Sequence, residues 1–123
     1  ISQISFDDKE LLVDNVLMCG DSAGLIHPLC GNGMGMAIGA ARLVSEVILS
    51  YFNGKLKTRE EVEKQYVKLW NQDFKSRLRT GRALALLLKN YRTTSFLLPL
   101  LKSFPAILKR IISATHGKSV LAV

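Results

Sequence analysis

Residues 16–37 read VLMCGDSAGLIHPLCGNGMGMA and contain five glycines. The stretch pairs no nucleophile with a base, has no metal-ligand spacing and carries no phosphate-loop lysine. What it offers is backbone. Gly31, Gly33 and Gly35 lead into a helical pattern, and the amides that open a helix are unpaired and add to its dipole, favouring negative charge nearby. Glycine also removes the side chains that would hold a flat or charged ligand at a distance. The chemistry suited to such a loop is backbone contact with a cofactor.

Two familiar glycine loops do not fit. The dinucleotide fingerprint needs Gly-x-Gly-x-x-Gly directly after a strand, whereas Gly31 and Gly33 are followed by Met36 in the third slot and lie well beyond the apolar run VLMC. A phosphate loop needs Gly-Lys-Ser/Thr, and no lysine occurs between Lys9 and Lys55. Glycine count alone fits a tight turn with close helix packing equally well.

Read as one unit, the string has more content. An apolar strand, Gly20-Asp21-Ser22-Ala23, a spacer, Pro28, Gly31-x-Gly33, Met34 and Ala37 together resemble the GD motif of FAD-dependent oxidoreductases with the glutathione-reductase type of FAD domain. That superfamily includes aromatic hydroxylases, flavin-dependent halogenases and geranylgeranyl reductases. The form GDSAGLIHPLCGNGM looks most like the geranylgeranyl reductase-like branch, because Gly24 stands where many aromatic hydroxylases carry histidine. The resemblance covers residues 16–47, about a quarter of the chain, and thins beyond, although RLRTGR after Tyr66, Trp70 and Phe74 also looks like the C-terminal region of these reductases.

The resemblance implies an α/β FAD-binding domain, of which residues 1–54 would be the C-terminal piece, followed by a helical, basic region over residues 55–123. It implies FAD as cofactor, NAD(P)H as electron donor, and either hydride transfer to a carbon–carbon double bond or hydroxylation of an apolar, prenyl- or lipid-like substrate. Asp21 would bind a ribityl hydroxyl, a role that suits a carboxylate acceptor. Amides near Gly33, Met34 and Gly35 would face the N1/C2 carbonyl edge of the isoalloxazine, and Pro28 would wall the substrate cavity. Gly20, Ser22, Ala23 and Gly31 complete the implied cofactor-binding set. His27 is a candidate proton donor or an ordinary loop histidine, and nothing marks Cys30 as an activated thiol. The strand, glycine turn and ribose-binding acid that hold the ADP half in that superfamily are absent from these residues, so the expectation is a piece of a longer enzyme, inactive in isolation.

The elements that must position the loop are mainly helical, with a short β segment. ISQISF alternates as a strand, DDKELLVDN reads as a turn or hairpin connection, and VLMC reads as a buried strand of about four residues. Residues 33–52 have helical spacing, with Ala37, Ala40, Ala41, Val44, Val47, Ile48 and Tyr51 as one stripe and Asn53-Gly54 as the stop. Gly35 and Gly39 leave another face bare for close packing. Thr58 and Glu61 form a capping box that opens a helix reaching about Asn90, its stripe running through Val62, Tyr66, Trp70, Phe74, Leu78, Ala85 and Leu88. Trp70 and Phe74 are read as core residues in preference to a cofactor-stacking role. Past Asn90, Pro99 and Pro105 predict a break followed by one or two short helices near residues 98–113, and GKSVLAV reads as frayed.

Charge divides the chain. All ten acids and seven of the seventeen bases lie at or before Asp73, while the remainder carries ten Lys and Arg and no acid. Such a half suits an anionic partner or a solvated helix face. Bases here alternate with leucines and match no nucleic-acid reader, so no nucleic acid is expected. Lys102, Lys109 and Arg110 among apolar residues suit a lipid headgroup or peripheral membrane contact. A non-catalytic basic helical module that binds anionic membrane or a partner protein is the alternative reading. Two cysteines without a disulfide or zinc pattern, and no secretory signal, give a cytoplasmic expectation. The apolar run at residues 96–101 is too short to span a bilayer, and no transmembrane segment is expected.

Overall fold

The computed structural model describes residues 6–116. The strand expected over ISQISF lies almost wholly outside the described residues, as does GKSVLAV. The fold is mainly helical, with one two-stranded antiparallel sheet.

That sheet is a hairpin of β1 (Leu12–Val13) and β2 (Val16–Leu17), with Leu12 opposite Leu17 and Val13 opposite Val16. Asp14 and Asn15 both have positive φ, at 45° and 66°, as a two-residue turn matched to strand twist requires. The Arg59 guanidinium donates to the Asn15 carbonyl and ties the turn to the helical part. The buried four-residue strand expected over VLMC is therefore corrected: two residues pair, and Val16 is exposed. Its partner is the preceding LV, and no third strand joins among the described residues.

Helix α1 spans Gly33–Phe52, as its spacing predicts. Asn53 donates its N–H to the Leu49 carbonyl, and Gly54 follows with φ of 72°, the left-handed turn that ends helices. The buried face differs from the expected stripe. It comprises Met36, Gly39, Ala40, Leu43 and Val47, whereas Ala41, Ile48 and Tyr51 are exposed. The cause is Gly39: a Cβ placed there would lie 3.1 Å from Phe74 Cζ, so the bare position receives an aromatic ring and turns that side inward. With 20 residues and mean hydropathy 1.3, α1 is by length and composition alone apolar enough to cross a membrane, a test that the core helix of a soluble protein also passes. One face packs on α2 (Arg59–Trp70), and the other carries an Arg42–Glu46 ion pair at 3.6 Å.

The capping box at the start of α2 is present. Glu61 N–H donates to Thr58 Oγ1 at 3.3 Å, and Glu61 Oε2 accepts from the amides of Thr58 and Lys57 at 3.4 and 2.6 Å. Helical backbone then continues through a π turn at Asn71–Lys75 into α3, Ser76–Lys89. Tyr66, Trp70, Phe74 and Leu78 recur every fourth residue, and in an ideal α-helix each such step drifts about 40°. The wider π turn offsets that drift and keeps all four buried. They join Ala23, Ile26, Cys30, Met36, Ala40, Leu43 and Val47 in one apolar cluster that crosses the turn after residue 54.

Two more helices follow, α4 (Tyr91–Ser103) and α5 (Pro105–His116). The break does not fall at Pro99, which lies inside α4. The hydrogen bond Pro99 cannot make would go to Ser95, and both residues are exposed, where losing one such bond costs less than in a core. The chain breaks at Phe104 instead, before Pro105, whose fixed φ suits the first helical position.

Candidate functional site

Sequence order builds a concavity between the hairpin and the start of α1. After β2, Gly20 adopts φ of 63° and turns the chain into a 3₁₀ turn, Gly20–Ser22. Ser22 Oγ donates to the Cys19 carbonyl at 2.6 Å, while the amides of Ala23 and Gly24 donate to the Gly20 carbonyl at 3.1 and 3.2 Å. Ala23 is fully buried and pins the turn to the core. A second 3₁₀ turn, Pro28–Cys30, is closed by Cys30 N–H to the His27 carbonyl and Gly31 N–H to the Pro28 carbonyl. Gly31, with φ of 61°, then redirects the chain into α1.

The resulting cavity has a volume of about 490 Å³ and is lined by Asp21, Leu25, Ile26, Pro28, Gly31, Asn32, Gly33, Met34 and Ala37. Asp21, Pro28, Gly31, Gly33 and Met34 of the sequence-predicted set thus share one wall. The others stand behind it. Gly20 and Ser22 shape the first turn, Ala23 anchors it, and Gly35 faces the Asn32 side chain. His27 lines a different cavity, where its ring lies 4.8 Å from that of Phe6. Ala37, part of the motif by resemblance, also lines the first cavity, whereas Leu25, Ile26 and Asn32 were not singled out by sequence; of these Asn32 alone had a signal, its place between two glycines at a helix start.

The glycines fall into two classes. A Cβ on Gly24 would lie 2.9 Å from both Trp70 Cζ2 and Leu78 Cδ1, and one on Gly81 would meet Cys30 Sγ at 3.2 Å. Internal packing therefore sets Gly24, where histidine would collide with the indole, and at Gly81 the neighbours would have to give by a few tenths of an ångström. Gly33 differs. It has no left-handed φ, and a Cβ there would meet nothing within 4 Å, so no described contact demands glycine at this position.

Helix α1 also opens without a cap. Asn32 occupies the capping position but makes no side-chain bond to the helix; its Nδ2 donates to the Thr115 and His116 carbonyls at 3.0 and 3.2 Å. A cap of this type stabilises a helix by about 1 kcal/mol. Forgoing it leaves the first amides beside the cavity available to an external acceptor. Opposite them, Asp21 is exposed, and its backbone carbonyl accepts from Lys9 Nζ at 2.7 Å. The cavity therefore brings together amide donors, a carboxylate acceptor and an apolar floor of Leu25, Ile26 and Ala37.

Cys30 is 5% exposed, and burial pushes its thiol above the usual range, which disfavours the reactive thiolate. Tyr66 is fully buried, and its hydroxyl donates to the Met18 carbonyl at 2.5 Å, fixing the strand that precedes the loop. Burial, with Cys19 adding to it, pushes the phenol up to about 12. No group of three or more metal-binding side chains occurs among the described residues.

Comparison with curated proteins finds an uncharacterized protein of Methanocaldococcus jannaschii that is 34% identical over 68 residues. The matched segment is 55% of this chain and 16% of that protein. No family profile matches the chain. No solved structure matches it.

Proposed function

We propose that these residues form the ribityl- and isoalloxazine-facing part of an FAD-dependent oxidoreductase, in which the ADP half of the cofactor is held by other residues. One observation carries this reading: Gly33 is glycine without an internal reason, and it opens an uncapped helix beside Asp21 in one cavity. Close approach of a ligand to the backbone supplies the missing reason. The residues fit the cofactor's chemistry: a carboxylate for a sugar-like hydroxyl, amides for a carbonyl edge that gains negative charge, and an apolar floor for a flat ring.

Flavin, when bound, supplies hydride or oxygen chemistry, with NAD(P)H as the reductant and an apolar molecule as substrate. The chain's part is binding and electrostatics. Asp21 orients the ribityl chain, the first amides of α1 stabilise charge at the ring edge, and Pro28 keeps the loop rigid. A Gly33→Val substitution tests this. A Cβ there meets nothing within 4 Å, so the melting temperature should stay close to the parent's while flavin retention by the whole protein falls at least about tenfold, or 1.4 kcal/mol. Undiminished flavin retention in that variant would count against the reading.

A second reading rests on a separate observation. Phe96, Phe104, Ile107, Leu108 and Ile112 are all exposed on α4, α5 and their junction, among Lys102, Lys109 and Arg110. An exposed apolar and basic surface of this kind suits an anionic membrane. Cosedimentation with phosphatidylserine vesicles that weakens as salt rises would support it, and salt-independent or absent binding would remove it.

A further inference from the structure

Asn32 stands where the cap of α1 belongs and holds a different helix. Its backbone, at φ −119° and ψ 20°, is not in the extended conformation usual for a capping residue, and its Nδ2 donates to the carbonyls of Thr115 and His116 at 3.0 and 3.2 Å. These carbonyls belong to the last turn of α5, where a helix has no donors of its own to offer them. The other end of the amide is closely seated. A Cβ on Gly35 would lie 2.3 Å from Asn32 Oδ1, so only glycine at position 35 leaves the side chain in this pose.

Few other fixed points hold α5. It lies on α3 and touches the Pro28–Cys30 turn, but Thr115, 3% exposed, is its one buried residue. The Thr115 hydroxyl donates within α5, to the Ile112 carbonyl at 2.9 Å, so that bond adds no tie to the rest of the fold. An element with so little burial opens locally at a free energy well below that of global unfolding. Asn32 is at the same time a wall of the glycine cavity, between Gly31 and Gly33. One side chain therefore serves both the cavity and the hold on α5.

We propose that Asn32 couples the glycine cavity to α5. With α5 docked, Asn32 and the glycines beside it are fixed before a ligand arrives, and less ordering is left for binding to supply. By reciprocity, an occupied cavity holds α5 down by the same factor. Asn32 is a positioning residue in this scheme and performs no chemistry. The coupling rests on the flavin reading for its ligand, whereas the tie between Asn32, Gly35 and α5 stands without it.

The test is amide exchange at Ala114, Thr115 and His116 in the full natural chain, with and without saturating FAD, alongside FAD affinity, for the parent, Asn32→Ala and Gly35→Ala. Alanine favours helix over both residues it replaces, so α1 should stay folded. Without FAD, both variants should exchange at those amides at least about tenfold faster than the parent. FAD should bind both about tenfold less tightly, and should slow the exchange about tenfold in the parent but not in Asn32→Ala. A residue that merely filled space would not make exchange at the end of α5 depend on FAD. Exchange unchanged in Gly35→Ala, FAD affinity unchanged in both variants, or exchange in the FAD-bound parent no slower than in the free one would each overturn the proposal. A parent that binds no FAD removes the flavin reading and the coupling with it, while the exchange rates of the two variants still decide the tie to α5.

Discussion

Gly24 and Gly33 lie nine positions apart and make opposite demands. At Gly24 an added methyl would meet the Trp70 indole and Leu78 at 2.9 Å, inside a packed cluster where neither neighbour is free to move. Gly24→Ala should therefore destabilise the fold by about 1–3 kcal/mol, read as a lower denaturant midpoint. At Gly33 the same methyl meets only solvent, so any cost of substitution should appear in ligand binding. Tyr66 offers a second test at this scale. Its folded pKa, pushed up to about 12, lies above the unfolded value near 10, so the native state keeps a proton that the unfolded chain has lost. Stability from this group is complete below about pH 10 and falls between pH 10 and 12, by up to about 1.4 kcal/mol per pH unit. Tyr66→Phe should remove that alkaline slope in denaturation curves. It should also cost about 1–3 kcal/mol at neutral pH, because the Met18 carbonyl loses its donor.

Legibility differs from element to element, and the difference follows the range of the interactions. The capping box of α2 and the C-terminal end of α1 are written in neighbouring residues, Thr58 with Glu61 and Asn53 with Gly54, and sequence spacing locates them. Thr58→Ala should lower stability by about 1 kcal/mol in thermal unfolding, the ordinary value of such a cap. Gly39 was legible as a place of close packing, and Ala40 and Val47 of the expected stripe are buried; the rest of the stripe was misplaced because the ring that fills Gly39 comes from Phe74, distant in sequence. VLMC read as a longer strand because its apolar run gives no information about how many partners it will find. The π turn at Asn71–Lys75 was invisible for a related reason: it resides in backbone bonding, although the fourfold spacing from Tyr66 to Leu78 is its indirect trace. At the site, the cluster of Asp21, Pro28, Gly31, Gly33 and Met34 was legible as a motif. The turning of His27 toward Phe6 was not, since adjacent loop residues can face different cavities.

At the scale of the whole molecule, one apolar cluster joins the glycine loop, α1 and the α2–α3 rod. Ile26 and Cys30 lie against Gly81 on α3, so the same wall borders both cavities. The most direct test of the central claim is the visible absorption spectrum of the protein purified from its natural source in its full native form. The account predicts oxidised-flavin absorption in one-to-one ratio with the protein, bleached on reduction with NAD(P)H or dithionite. A folded protein that is colourless, and stays so after incubation with FAD, would contradict it.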